Sequence, residues 1–145
     1  MENTALVNQI DEFIENQDEP KKSELKTLHN FIYNSIPNCK LWFLDGTNSE
    51  NKVVSNVNIG YGLYKIKYKN GSLKEFYQVG ISTNKSGISV YLFGIGDKNY
   101  LPFQYKEKIG KATITEYCIK FKTLKNINYE VLKIAILDGI KMSSN

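Results

Sequence analysis

The spacing of hydrophobic and polar positions changes twice along the chain, from a helical repeat near the N-terminus to alternation in the middle and back again. Apolar side chains recur at helical spacing in residues 4–16 and again in residues 20–35. These two stretches predict an αα-hairpin that turns at residues 17–19. Pro20 suits the first turn of the second helix, where a missing backbone N–H costs nothing.

The middle of the chain, residues 59–95, has the alternating pattern of antiparallel strands. Asn70-Gly71 predicts a two-residue hairpin turn, and residues 83–87 predict a second turn. Residues 88–95 are apolar on both faces, which predicts a central strand. The first turn predicts these cross-strand pairs: Lys69 with Ser72, Lys67 with Lys74, Ile66 with Glu75 and Tyr64 with Tyr77.

Side chains alternate between the two faces of a strand, so this register also predicts a core face and a wet face. The predicted core face carries Tyr64, Ile66, Tyr68, Leu73, Tyr77, Val79 and Ile81. The predicted wet face carries Lys65, Lys67, Lys69, Lys74, Phe76 and Gln78.

The remaining stretches predict short elements around this meander. Strands are predicted at residues 40–44 and 113–121, the latter with Tyr117, Ile119 and Phe121 inward. Helices are predicted at residues 100–109, ending at Gly110, and from a cap at Asn128 to about residue 140. Because strands cluster in the middle and helices at the ends, the order predicts an α+β fold with a mostly antiparallel sheet of about five to six strands. The length of 145 residues predicts a single domain, 1–145.

Composition narrows the functional classes without selecting one. The chain is 41% hydrophobic and 23% charged, as expected of a globular protein. Its net charge of +4 permits an acidic partner without requiring one, and because nucleic-acid binders usually concentrate more charge, it disfavours a nucleic acid as the partner. Cys39 and Cys118 lie far apart and form no CxxC pair, which argues against a zinc motif and favours a reducing, cytoplasmic setting. No apolar run approaches the ~20 residues that span a bilayer, and the acidic N-terminal stretch does not resemble a signal peptide.

The chain resembles the YdhG-like family of bacterial domains of unknown function in the segments IDEFIENQ, NSIPNCKLWF, NIGYGLYKIKY, NKSGISVYLFGI and GKATITEYCIKFKTLKNINYEVL. The resemblance runs from Leu6 to Ile140, and its most diagnostic pieces are Gly60-Tyr61-Gly62 and the block from Gly110 to Phe121. It implies a frataxin-like, two-layer α/β sandwich with the helical hairpin and the C-terminal helix on one face of the sheet. It also implies a cytoplasmic iron chaperone that supports iron–sulfur cluster assembly, with iron as cargo and assembly proteins as partners. It carries over no catalytic residue.

Three acidic residues are the candidate iron ligands. Asp11, Glu15 and Asp18 are spaced one helical turn apart, and carboxylate oxygens are ligands that iron accepts at an open, weak site. The alternative is a solvated helix face. His29, the single histidine, falls within the apolar stripe of the second helix, which favours a partly buried core histidine with a hydrogen-bond partner over a ligand or base.

The lysines of the central hairpin are the candidate partner-binding residues, and Phe76 lies among them. Lys67 opposite Lys74 is a repulsive pair that an anionic partner, either an acidic protein or a nucleic acid, would relieve. Lys65 and Lys69 extend the same face, and a sheet face kept soluble by lysine is the alternative.

Two further functional interpretations stay open at this stage. Cys118 precedes Lys120 by two residues, so it is either a thiol with a lowered pKa or a small strand residue. An enzyme with a pocket between sheet and helices is a third class of function, which lacks any nucleophile–base pair in its favour.

Overall fold

A computed structural model describes residues 4–53 and 56–144 of the chain. The helices of this part are α1 (Thr4–Glu15), α2 (Lys21–Ser35), α3 (Tyr100–Ile109) and α4 (Tyr129–Ser143), with a short 3-10 turn at Leu124–Asn126. The strands are β1 (Leu41–Leu44), β2 (Asn58–Tyr61), β3 (Tyr64–Lys67), β4 (Leu73–Phe76), β5 (Val79–Asn84), β6 (Gly87–Leu92), β7 (Ala112–Ile114) and β8 (Cys118–Phe121). The fold is therefore α+β, as the order of sequence patterns predicts.

Six of these strands form one antiparallel sheet in the order β1-β2-β5-β6-β8-β7. The hairpin β3–β4 is inserted between β2 and β5 and pairs only within itself among the described strands. β6 lies between β5 and β8, which confirms the predicted central strand. The helices pack on one face of the sheet, so the molecule has two layers.

The core lies between the helices and this inner face of the sheet. Its sheet side is a continuous row of paired residues that crosses four strands: Ile59 with Ile81, Ile81 with Val90, and Val90 with Ile119. The helices contribute fully or nearly fully buried side chains at helical spacing: Ile10, Ile14, Leu25, Leu28, Ile32, Leu101, Ile109, Leu132, Ala135 and Ile136. Burying these apolar residues is the main favourable term in the stability of the fold.

The terminal helices begin and pack as the sequence predicts. Asn128 caps α4, because its side-chain Oδ1 accepts a hydrogen bond from the backbone N–H of Val131 at 3.3 Å. Gly139 lets α4 approach the sheet closely, since a Cβ there would lie 3.1 Å from the side chain of Leu92. No helix in the described ranges combines the length and the apolar character that crossing a membrane requires.

The predicted register of the β3–β4 hairpin is wrong by one residue. The observed pairs are Tyr64–Phe76, Lys65–Glu75, Ile66–Lys74 and Lys67–Leu73. The loop has three residues rather than two: the backbone N–H of Tyr68 bonds to the carbonyl of Ser72, and Gly71 bonds back to the carbonyl of Tyr68. Gly71 alone in this loop has a positive φ, of +87°. A type I turn followed by a glycine bulge therefore replaces the predicted turn, and the extra residue shifts every pair.

The predicted core face of the hairpin is wrong as well. Leu73 is 62% exposed and Tyr68 is 47% exposed, because the hairpin stands apart from the six-stranded sheet. Val79 and Ile81 do lie in the core, whereas Tyr77 is buried against the opposite face of the sheet.

The predicted strand at residues 113–121 is two strands. β7 and β8 form their own antiparallel hairpin, with Thr113 opposite Lys120 and Ile114 opposite Ile119. Tyr117 lies in the turn that joins them and is 45% exposed, so its predicted inward position is wrong. A turn of polar residues, Thr115 and Glu116, separates the two strands.

Tyr77 covers the face of the sheet that the helices leave open, which we call the outer face. Its ring lies across Gly60 and Gly80, which pair with each other between β2 and β5. A Cβ at either glycine would come within 2.4 Å of a ring carbon of Tyr77. The hydroxyl of Tyr77 donates to Oδ1 of Asn58 at 3.1 Å, which fixes the ring in this position.

Gly80→Ala is expected to destabilise the fold by about 1–3 kcal/mol, because the added methyl group overlaps a ring that cannot move freely. The measurement is the free energy of unfolding in denaturant for Gly80→Ala, Tyr77→Ala and the double variant. With the ring removed, Gly80→Ala should cost far less. An equal cost in both backgrounds would contradict the proposed contact.

Candidate binding surface on the outer face of the sheet

The structure does not bring the three candidate iron ligands together. α1 ends at Glu15, so Asp18 lies in the connection to α2 and the assumed helical spacing does not reach it. Glu15 is paired with Lys26 of α2, whose hydrogen bond and charge hold the pKa of Glu15 below its ordinary value. Among residues 4–53 and 56–144, no group of three or more His, Cys, Asp or Glu side chains is placed to hold a metal ion.

Asp11 and Glu15 instead line a cleft between α1 and α2. The cleft has a volume of about 340 Å³ and is lined by Asp11, Ile14, Glu15, Lys26, His29 and Asn30. His29, one of the lining residues, is 8% exposed. The Nδ1 atom of His29 lies 2.6 Å from the hydroxyl oxygen of Tyr61, which is fully buried in the core. The prediction of a buried histidine with a hydrogen-bond partner is confirmed.

Burial lowers the pKa of His29 from its ordinary value of 6.5, and the charge of Asp11 opposes this shift only in part. Between the lowered pKa and 6.5 the unfolded chain holds the imidazole proton while the folded chain does not. Lowering the pH through this window therefore favours unfolding.

The free energy of unfolding is expected to decrease as the pH falls from about 7 to about 5, with His29 as the cause. Since the chain has one histidine, the difference in slope between the parent and a variant without this histidine reports a single group. Denaturant titrations of the parent and of His29→Gln at several pH values provide the measurement. The variant should have a shallower slope, and equal slopes in the two proteins would contradict the assignment.

The predicted lysine face of the hairpin divides between two sides. Lys65 is opposite Glu75, so it faces an opposite charge rather than a like one, and Lys67 is opposite Leu73. Lys74 belongs to the other side of the hairpin together with Phe76. The predicted repulsion between Lys67 and Lys74 is therefore wrong, because the three-residue loop moves them out of register.

Aromatic side chains form one connected cluster on the outer face, which we call the aromatic patch. Its members are Trp42, Phe76, Tyr77, Tyr91, Phe93 and Tyr117. Neighbouring ring centroids are 4.1–6.3 Å apart. All pairs except the closer Phe76–Tyr77 pair lie within the range of about 4.5–7 Å that is usual for interacting aromatic side chains. Tyr77 is buried beneath the others, whereas Tyr117 is the most exposed ring.

The positions of these rings follow from strand alternation. In β6 and the residue after its end, Tyr91 and Phe93 point outward, while Val90 and Leu92 enter the core. Trp42 is outward on β1 and donates from Nε1 to the carbonyl of Gly62 at 2.9 Å. A sequence signal for this cluster exists, namely aromatic residues at the outward positions of neighbouring strands, but the register must be known before it can be used.

Lysines border the aromatic patch. The Nζ atom of Lys40 lies 4.3 Å from the ring centroid of Trp42, and that of Lys74 lies 5.9 Å from the centroid of Phe76. Both distances permit cation–π attraction. Of the five hairpin residues predicted to bind a partner, Lys74 and Phe76 therefore lie at this surface.

Further lysines gather where β7 and β8 form the edge of the sheet. Lys111, Lys120 and Lys122 line an open depression of about 380 Å³, and we call these three residues the basic edge. Lys120 is opposite both Ser89 and Thr113, in the outer-face row next to the row of Tyr91 and Cys118. None of the ion pairs among the described residues involves the basic edge.

Cys39 and Cys118 are buried and are not joined in a disulfide. Burial raises the pKa of the Cys39 and Cys118 thiols, and the charge of Lys120 offsets only part of the rise at Cys118. Cys118 is therefore a small strand residue rather than an activated thiol, in agreement with the simpler interpretation.

Both thiols are expected to react slowly with a thiol reagent near neutral pH in the folded protein and rapidly in denaturant, because burial limits both access and thiolate formation. The reaction rate of each thiol is measured by the absorbance of the coloured thiolate that a chromogenic disulfide reagent releases. The variants Cys39→Ser and Cys118→Ser separate the two sites. Fast release from the folded protein in the Cys39→Ser variant would show that Cys118 is activated.

Comparison of the chain with protein-family models, curated proteins and solved structures gives no match. The resemblance to the YdhG-like family therefore remains a prediction from sequence.

Proposed function

We propose that the protein is a cytoplasmic, non-enzymatic binding protein that captures a polyanionic partner on the outer face of its sheet. The observation that carries this proposal is the contiguity of the aromatic patch and the basic edge, joined through the neighbouring rows of Tyr91 and Lys120. Exposed aromatic surface beside lysines that lack carboxylate partners is typical of a surface that awaits a ligand.

Charge supports an anionic ligand rather than a neutral one. Lys111, Lys120 and Lys122 repel one another across a shared depression, and an anion placed there relieves this repulsion. Lys40 and Lys74 extend the positive border to the far side of the patch. Glu116 lines a groove together with Tyr117, and its negative charge opposes the binding of an anion beside that ring.

Iron handling, with iron–sulfur assembly proteins as partners, rests on the family resemblance alone. Asp11, Glu15 and Asp18 are not gathered, and Glu15 is engaged with Lys26. An oxygen-ligand site for iron needs such residues to converge. The outer face is therefore the better supported candidate.

The test of the proposed function uses inorganic polyphosphate, a polyanion without bases or side chains. We expect binding by isothermal titration calorimetry that weakens about tenfold or more between about 50 and 200 mM salt, because ion contacts release counterions. Replacing Lys111, Lys120 and Lys122 by Gln should weaken polyphosphate binding at every salt concentration and should make the affinity less dependent on salt. Glu116→Gln should tighten it, a gain that misfolding cannot produce.

The matched control replaces three exposed lysines of the hairpin by Gln, namely Lys65, Lys67 and Lys69, and should change the affinity much less. Absence of polyphosphate binding, or equal losses in the two lysine variants, would contradict the proposed function.

A further inference from the structure

We infer that the polyanion is a single-stranded nucleic acid whose bases stack on the aromatic patch while its phosphates contact the basic edge. This inference rests on the proposed function, since it names the class of partner for the same surface. It requires three features together. A base must be able to reach an aromatic ring, a lysine must lie about as far from that ring as a phosphate lies from its own base, and the surface must suit one strand rather than two.

The aromatic patch offers rings at the surface. Tyr91, Phe93 and Tyr117 are arranged with interplanar angles of 9° to 29°, so their rings are close to parallel. Tyr117 is 45% exposed at the turn between β7 and β8. Every base has a π-face, so stacking on aromatic side chains accepts any sequence.

The basic edge lies one short step from these rings. Cys118 is opposite Tyr91, and Lys120 follows two residues later on the same face of β8. Two strand residues span about 7 Å, which is comparable with the reach from a base to its own phosphate. A strand that stacks a base beside Tyr91 or Tyr117 therefore brings a phosphate toward Lys120.

The form of the surface favours one strand over a duplex. In a duplex the bases are stacked on each other and offer only their edges in the grooves, which a helix or ribbon must enter. The outer face is an open sheet that offers rings, so it engages bases only when they are unpaired. An acidic peptide without apolar or aromatic side chains, such as polyglutamate, would satisfy the lysines but would leave the rings uncovered.

Trp42 provides a readout at the β1 end of the aromatic patch, because it is the single tryptophan of the chain and contacts Phe76. β1 lies four strand positions from β8, a distance that a single strand of about 12 nucleotides lying along the patch covers. The probes are an oligouridylate and an oligothymidylate of about 12 nucleotides, a duplex of the same length, polyglutamate and inorganic polyphosphate. We expect the single strands to bind with a change in Trp42 fluorescence and to bind more tightly than the duplex and polyglutamate. Polyphosphate should bind without a comparable fluorescence change.

Tyr117→Ala separates stacking from charge. We expect it to weaken binding of the single strands about tenfold or more and to weaken polyphosphate binding much less, because one stacking ring is lost and no cation is. Tyr117→Phe should retain the affinity. Tyr68→Ala is the matched control, since Tyr68 is 47% exposed in the hairpin loop and lies outside the aromatic patch.

Three outcomes overturn the inference while polyphosphate binding keeps the proposed function intact. They are equal losses of single-strand affinity in Tyr117→Ala and Tyr68→Ala, a duplex or polyglutamate that binds as tightly as the single strands, and single-strand binding that leaves Trp42 fluorescence unchanged. Failure of polyphosphate to bind rejects the proposed function itself. A difference between oligouridylate and oligothymidylate identifies the sugar that the surface prefers and supports the inference.

Discussion

The outer face of the sheet depends on a single contact, the ring of Tyr77 across the paired glycines Gly60 and Gly80. Glycine in the interior of a strand normally weakens a sheet, because it has no side chain to pack and loses more backbone entropy on folding. Here the absent side chains make a shallow trough, and an aromatic ring from the preceding segment fills it. Phe76 and Phe93 pack against Tyr77, and the remaining rings of the aromatic patch contact these two or one another. The surface proposed to bind a partner therefore includes a buried ring that positions two of its members.

The inserted hairpin supplies part of that surface. β3 and β4 leave the sheet after β2 and return to it at β5, and Phe76 lies at the end of this excursion, in contact with Trp42, Tyr77 and Phe93. The connection from β4 to β5, residues 77–78, also contacts the helical layer, because the side-chain amide of Gln78 donates to the hydroxyl of Ser143 in α4 at 2.8 Å. One connection is thus tied to both faces of the molecule.

Local patterns predicted the elements of this fold well where a single physical rule decided them. The period of Leu25, Leu28 and Ile32 and the cap at Asn128 were sufficient for two helices. The register of the hairpin was not predictable from Asn70-Gly71, because the same dipeptide serves a two-residue turn and a three-residue loop with a glycine bulge. One residue of difference changes which side chains share a face.

The candidate site was predictable only in part, for the same reason. Lys74 and Phe76 lie at the proposed surface. Trp42, Tyr91 and Tyr117 come from β1, β6 and the turn between β7 and β8, and no local pattern specifies where these elements lie in the sheet. Helical spacing does not predict where Asp18 lies relative to Asp11 and Glu15, because α1 ends at Glu15 and Asp18 lies beyond the helix.

The basic edge also has a consequence for how the molecule behaves in a crowded solution. β7 is an outermost strand of the sheet, and an outermost strand offers unpaired backbone groups to any other extended chain. β7 has three residues, begins directly after Lys111 and lies beside Lys120. A second copy that tried to extend the sheet would bring its own ammonium groups against these, so the charges that suit an anionic ligand also guard against self-association.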